Sequence, residues 1–315
     1  MYSARSNAEL KRKEMGFVNR REIDFTEACR LMPTRSNDSN KGSFGRVLAL
    51  IGSEKYRGAA HLVTESMLRA GAGYTEIVAP NSVCDSLIQK FPEAIYIAIS
   101  DVADASEYRL FSERAESASA ILIGPGCGAS IGLGRQIISL IASEGAPLVI
   151  DADGINSMAL CRDAALSALK NSARTVILTP HPLELSRLLG CSVESINFDR
   201  QQAALGFVAD YKAILLLKGY RTVIASEKNL FINTSGSSAL AKAGSGDTLA
   251  GLLASLLATR LAPCDILTAL AAYIHGKAGD ELSDVFSDYG VIPSDLPRRM
   301  AMVMKTILDS KPQYM

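Results

Sequence analysis

The sequence predicts an α/β fold, with a mostly parallel central sheet covered by helices on both faces. Three observations carry this prediction. Short β-branched and apolar runs such as RVLALIG, ASAILIG and AILLLKG read as buried strands. Stretches of good helix formers alternate with them along the chain. Glycine, proline or an acid closes nearly every run, so loops of unusual backbone gather at the strand ends.

The elements follow in order. Residues 1–40 are polar and irregular, with TRSNDSNKGS a loop and EIDFTEACRLMP a short helix against the body. RVLALIG (46–52) is a strand, GAAHLVTESMLRAGAG a helix closed by glycine, and YTEIVAP a strand ended by Pro80. A helix near 81–90, a strand near 94–99, a helix near 106–117 and the strand ASAILIG (118–124) come next. A helix near 131–143 leads to PLVIDAD, a strand with acids at its carboxyl end. Then follow a helix near 155–161, the strand TVILTP (175–180), helices near 183–189 and 194–210, and the strand AILLLKG (213–219). RTVIAS and KNLFINT, separated by Glu227, read as an antiparallel hairpin that makes the late sheet edge mixed. Helices over 247–258, 263–285 and 293–309 close the chain.

At 315 residues and 48% hydrophobic, the chain can bury a large core. Without a composition break, linker or repeat, it reads as one domain over 41–315 behind an N-terminal extension of 1–40. The 33 basic and 33 acidic residues cancel, which excludes a general attraction to nucleic acid or to an anionic membrane. Six cysteines at 29, 84, 127, 161, 191 and 264 lack metal-ligand spacing and read as reduced thiols. No signal peptide and no apolar run of membrane-spanning length is present, so a soluble cytoplasmic protein is expected.

In an open parallel sheet, ligands sit beyond the carboxyl ends of the strands. The loops there are IGSEKYRGAA, GPGCG, DADGIN, TPHPLE, LKGYRT and NTSGSSALAKAGSGD. The last one is central. Its Gly244-Ser245-Gly246-Asp247 turn opens directly into the apolar run LAGLLASLLA, so unpaired N–H groups and the helix dipole meet at a place where glycines let an anion approach. Asp247 either caps this helix or accepts a proton from a hydroxyl attacking a bound phosphoryl group, and two glycines beside it favour the second role.

The other loops add partners of graded specificity. Gly-Pro-Gly-Cys-Gly (124–128) leaves room for a ligand, with Cys127 a packing residue. Asp151 and Asp153 suit a magnesium ion or the cap of the next helix about equally. His181 is held between two prolines with Glu184 in the following first turn, whereas His61 and His275 lie within helices and read as structural. Lys218-Gly219-Tyr220-Arg221-Thr222 links two strands, and its lysine could neutralise a phosphate or sit in a solvated hairpin. Neither GxxxxGK[ST] nor GxGxxG after the first strand is present, which argues against a P-loop NTPase or an ordinary dinucleotide dehydrogenase.

KGSFGRVLALIGSEKYRGAAHLVTESMLRAGAGYTEIVAP, ILIGPGCG, PLVIDADGIN, ILTPHPLEL, LLLKGYRTVI and NTSGSSALAKAGSGDTLAGLLASLLA together resemble, in order and spacing, the ADP- or ATP-dependent NAD(P)H-hydrate dehydratases of the ribokinase-like superfamily. The resemblance covers about residues 35–305 and implies a ribokinase-like three-layer α/β/α fold. It also implies a lyase that returns hydrated NADH or NADPH to NAD(P)H by a transient phosphoryl transfer from ADP or ATP with Mg2+. Kinases of vitamins or sugars in the same superfamily, and a non-catalytic nucleotide-binding protein, are the rival readings.

Carried over by position, Asp247 resembles the catalytic base, with Gly244 and Gly246 forming the anion hole. Lys218, Gly219, Tyr220, Arg221, Thr222 and Gly246 match the lining of the adenine nucleotide, and Ala59, Gly126, His181 and Asp247 match contacts to the hydrated dinucleotide. Asn156 and Glu184 are similarly placed to support magnesium or its waters. The run Ser235–Lys242 departs from the family pattern, and Lys242 is expected to add a charge beside the phosphate site. Relatives form symmetric oligomers and some carry a fused epimerase, so the resemblance implies a homo-oligomer served by a separate NAD(P)H-hydrate epimerase.

Overall fold

A computed structural model describes residues 18–100 and 105–311 of the chain. Ten strands form one sheet in the order β1-β10-β9-β8-β7-β6-β5-β2-β3-β4. They are β1 (Asn19–Ile23), β2 (Arg46–Leu50), β3 (Tyr74–Pro80), β4 (Ile95–Ile99), β5 (Ala120–Ile123), β6 (Leu148–Ile150), β7 (Val176–Leu178), β8 (Ala213–Leu217), β9 (Val223–Ala225) and β10 (Asn229–Asn233). Strands β2 to β8 pair in parallel, and every residue of β5, β6 and β7 is buried. Burial on both faces explains why those strands read as unbroken apolar runs rather than as alternating ones.

Helices cover both faces. One core packs α1 (Phe25–Leu31), α2 (Arg57–Arg69), α3 (Asn81–Ile88), α11 (Ser245–Ala258), α12 (Cys264–Gly290) and α13 (Leu296–Asp309) against the sheet. The other packs α4 (Ala105–Ala115), α5 (Ile131–Ala142), α6 (Asp153–Leu160), α7 (Arg162–Asn171), α8 (Pro182–Leu189), α9 (Val193–Phe198) and α10 (Arg200–Asp210). Helix α11 is apolar all round because it is buried all round. Leu252, Leu253 and Leu257 are each at most 1% exposed, and burial of such a side chain contributes about 1.5–3 kcal/mol.

The strand order turns back at β2, which pairs with β3 on one side and β5 on the other. The loops after β2 and β5 therefore diverge and leave a crevice between them, as expected at a topological switch point. They are tied at its floor by the Gly52 N–H donating to the Pro125 carbonyl at 2.8 Å.

The structure differs from the sequence reading in four local respects. Residues 19–23, of which 19–21 read as irregular and Glu22 and Ile23 as the start of a helix, form β1, parallel to β10. Four of its five side chains are exposed, so no apolar alternation betrays an edge strand held by its backbone. A helix not anticipated, α7, follows α6 after the single residue Cys161, and only Ala165 and Leu169 of it are buried. The helix expected over 194–210 is divided at Asp199, whose carboxylate caps α10 by accepting from Gln201 and Gln202 N–H. Helix α12 runs to Gly290, with a break at Ser287 (φ 61°). Strand β9 is antiparallel to both β8 and β10, as the mixed late edge requires. Among the described residues no helix is long and apolar enough to cross a membrane.

Candidate functional site

Gly244 is the N-cap of α11, in the left-handed region at φ 101°, where an L side chain would be strained. No side chain caps this helix end. Asp247 is the third helical residue, so the capping role considered for it is not the one it fills. The N–H groups of Gly246 and Asp247 precede the intrahelical ladder and, with the dipole, present positive potential to the crevice.

Over this turn lies Lys218, from the end of β8. A Cβ added to Gly246 would stand 3.3 Å from the Lys218 ammonium, so the bare glycine is what lets the cation reach the helix end. The ammonium is pinned from the other side by Asp151 Oδ1 at 2.7 Å, and Thr179 Oγ1 donates to the same oxygen at 2.8 Å. Asp151 and Thr179 follow the paired residues Ile150 and Leu178 of β6 and β7, which sets their side chains together. Burial would pull the Lys218 pKa down, but Asp151, Glu184 and Asp247 outweigh it and raise it, so the lysine stays charged.

Asp247 titrates at about 7: burial is the main cause, repulsion from Asp151 adds to it, and Lys218 acts against it. Asp153 and Glu184 push in the same direction as Asp151. A carboxyl so placed is a base poised near neutrality.

His181 caps α8 in a reciprocal box. Its Nδ1 accepts from the Glu184 N–H at 3.2 Å, while Glu184 Oε2 accepts from the His181 N–H at 2.9 Å. Glu184 Oε1 lies 3.2 Å from His181 Nε2, so both carboxylate oxygens serve the histidine loop. Burial, then the nearby Lys218, lowers the His181 pKa and keeps the ring neutral. Burial is the main cause that raises the Glu184 pKa.

Between Asp151 and Asp153, Ala152 occupies φ 48°, ψ −116°, a strained conformation of the kind stored at functional sites. It sends the flanking carboxylates to different partners, and Asp153 Oδ2 accepts from the Gly128 N–H at 2.8 Å. Gly126 (φ 68°) faces α2: a Cβ there would meet Ala59 Cβ at 2.8 Å and Tyr56 Cβ at 3.0 Å. Cys127 is buried, its thiol pushed up to about 12 by desolvation, which leaves it a packing residue.

Of the residues singled out from the sequence, Gly244, Gly246, Asp247 and Lys218 converge on one point, and Ala59 and Gly126 touch across the crevice. Gly219 to Thr222 make a tight turn closed by Thr222 Oγ1 donating to the Gly219 carbonyl at 2.9 Å. Arg200 donates to the Tyr220 carbonyl and Arg221 pairs with Glu22 of β1, leaving the Tyr220 ring 79% exposed. Asn156 Oδ1 accepts from Arg187 Nη1 at 3.0 Å. Lys242 does not face the phosphate site. Its ammonium bonds the carbonyls of Tyr289 and Val291, where it ties the loop to the end of α12.

Sequence reasoning missed the pairing of Asp151 with Lys218 and the part played by Thr179; adjacency of the strand ends DAD and TPH in a parallel sheet was the available signal. Among the described residues no group of three or more His, Cys, Asp or Glu side chains is disposed to hold a metal unaided. A cavity of about 1140 Å3 lies at the opposite end of the sheet, beside Arg174, Lys212 and Asp265, and contains none of these groups.

A family model for NAD(P)H-hydrate dehydratase matches residues 47–301. The chain is 34% identical over 261 residues to an ADP-dependent (S)-NAD(P)H-hydrate dehydratase of Neisseria meningitidis, covering 79% of this chain and 81% of the relative. It is also 34% identical over 254 residues to a bifunctional NAD(P)H-hydrate repair enzyme of Thermofilum pendens, covering 79% of this chain and 48% of that protein. The chain spans about half the length of the first curated relatives it matches. Its fold is similar to the crystal structure of the ADP/ATP-dependent NAD(P)H-hydrate dehydratase from Bacillus subtilis co-crystallized with ATP/Mg2+, at a TM-score of 0.77 and 26% identity, over 92% of this chain and 99% of that one.

Proposed function

The chain belongs to the NAD(P)H-hydrate dehydratase family and has its ribokinase-like fold, and on that premise we propose that it converts hydrated NADH or NADPH to NAD(P)H at the expense of a nucleotide phosphoryl group. One observation carries the reading: a carboxyl poised near neutrality stands at an uncapped, glycine-lined helix start beside a partly buried lysine.

In this mechanism Asp247 accepts the proton of the ring hydroxyl as that oxygen attacks the terminal phosphoryl of the nucleotide. The new O–P bond replaces the bond to the leaving nucleotide, which departs as AMP when ADP is the donor. The N–H groups of Gly246 and Asp247, with Lys218, bear the charge on the phosphoryl oxygens. The ring nitrogen lone pair then expels phosphate, and the neighbouring ring carbon gives up a proton to restore the double bond. Ala59, Gly126 and His181 line the dinucleotide side of the crevice, and Lys218 to Thr222 the nucleotide side.

A magnesium ion suits this donor set. Asp151, Glu184 and Asp247 crowd around one lysine, and their mutual repulsion helps to hold Asp247 near neutrality. Mg2+ needs only one or two carboxylates beside phosphate oxygens and water. Asp151 and Glu184 would hold it, with Asn156 at the edge of the set, and when bound it screens phosphate charge.

The test supplies hydrated NADPH with magnesium and either ADP or ATP, and follows the return of dihydronicotinamide absorbance with release of phosphate. A stable phosphorylated product would instead mark a small-molecule kinase. Nucleotide binding without turnover would mark a non-catalytic binder.

A further inference from the structure

We infer that His275 is a positioning residue for phosphoryl transfer, holding the first turn of α11 in the conformation that presents its N–H groups to the terminal phosphate of the nucleotide. The inference rests on the reading of that turn as the phosphate site.

His275 sits on α12, is 7% exposed, and takes no part in the chemistry described above. Its Nε2 lies 3.2 Å from Thr248 Oγ1. The Thr248 hydroxyl already spends its proton on the Ser245 carbonyl, at 2.8 Å. Towards the imidazole it can therefore only accept, which makes Nε2–H the donor. The ring thus fixes the Thr248 hydroxyl, and through that hydroxyl's bond to the Ser245 carbonyl it closes the segment 245–248 that contains Gly246 and Asp247.

Burial lowers the His275 pKa to about 4, so the ring is neutral under physiological conditions and acts by geometry rather than charge. Its own support is rigid. The carbonyls of Ala272 and Tyr273, in the preceding turn of α12, accept from Asn233 Nδ2 at 3.0 Å and Ser235 Oγ at 2.9 Å. A Cβ on Gly276 would stand 2.3 Å from Ser235 Oγ, so α12 and the loop entering α11 are in direct contact at this level. A glycine-rich turn has little intrinsic rigidity, and an imidazole anchored on a long helix supplies it.

The experiment compares ADP and AMP binding by calorimetry, with magnesium, for wild type, His275→Leu, His275→Gln and Thr248→Val, alongside turnover. On the proposed reading ADP, unlike AMP, carries a phosphoryl group that reaches the α11 turn. The expected result is that His275→Leu weakens ADP roughly tenfold and leaves AMP within about twofold, with kcat down roughly 10–100-fold and the dinucleotide KM unchanged. His275→Gln, which can still donate, recovers most of both. Thr248→Val, close to isosteric, reproduces the ADP-selective loss and decides the matter should His275→Leu not fold. Unchanged ADP affinity in Thr248→Val, or equal loss of ADP and AMP in the histidine variants, overturns the inference. Wild type that binds ADP no better than AMP would refute the phosphate site itself, and this inference with it. Selective ADP binding without turnover of the hydrate would refute only the proposed reaction.

Discussion

The ammonium of Lys218 and the carboxylate of Asp151 meet at 2.7 Å, although 67 residues separate them in the chain. The pair lies between the ends of β6 and β8, and Asp151 is almost wholly buried. A pair of this kind, with one partner buried and the other partly so, contributes little net stability compared with an apolar pair, but losing the lysine leaves an uncompensated buried charge. Its value here is placement, since it fixes a cation above the start of α11.

Replacing that cation is therefore expected to be costly. Lys218→Met should destabilise the fold by about 3–5 kcal/mol in denaturant titration, and Lys218→Met with Asp151→Asn should recover much of the loss. Turnover should stay low in both, because the phosphoryl group loses its counter-charge.

Asp247→Asn should retain nucleotide binding while kcat falls by about 10²–10⁴-fold. Calorimetric titration with ADP and steady-state kinetics check the two halves. Near-normal turnover would remove Asp247 from its role as base.

The rate should also follow the titration of this carboxyl. With Asp247 near 7, kcat/KM of the free enzyme is expected to rise with pH through about 7, as the base form appears, and to lose that inflection in Asp247→Asn. A profile flat between pH 6 and about 8 would contradict it.

The same shift has a consequence for stability. Because the folded-state value of about 7 lies above the ordinary 3.8, the favourable contribution is present below pH 3.8 and is lost as pH rises through about 7. Asp247→Asn should thus be more stable than wild type at about pH 8, by about 2 kcal/mol once partial exposure is allowed for, and should match it in strong acid. Thermal melts at the two pH values measure this.

His181→Ala should raise the KM for the hydrated dinucleotide several-fold and shift the ADP affinity little. It also opens the box with Glu184, at a stability cost of about 1 kcal/mol. Unchanged dinucleotide affinity would detach this loop from the substrate.

The central sheet was legible because β5 to β7 are buried on both faces and so appear as apolar runs between helices. Strand β1 was not, since Asn19, Arg20, Arg21 and Glu22 are exposed and it joins the sheet through its backbone. The glycine turn before Asp247 showed itself by composition. The Lys218–Asp151 contact and the His275–Thr248 contact did not, because they join residues 67 and 27 apart, and sequence spacing encodes side-chain neighbours only within one element. Lys242 illustrates the same limit: its position in the loop was plain, but its direction was set by the carbonyls at the end of α12.

The polar lead-in carries more of the molecule than its composition suggests. Through β1 it covers the outer row of N–H and C=O groups on β10, through Ile23 it accepts from both the backbone and hydroxyl of Thr234, and through Glu22 it holds Arg221 in the turn that follows Lys218. A version trimmed to begin at residue 41 would bare a sheet margin ready to recruit strands from neighbouring molecules, and would free the nucleotide-side turn from its outer tether. Preparations shortened in that way are expected to clump, and those that stay in solution to hold adenine nucleotides more loosely.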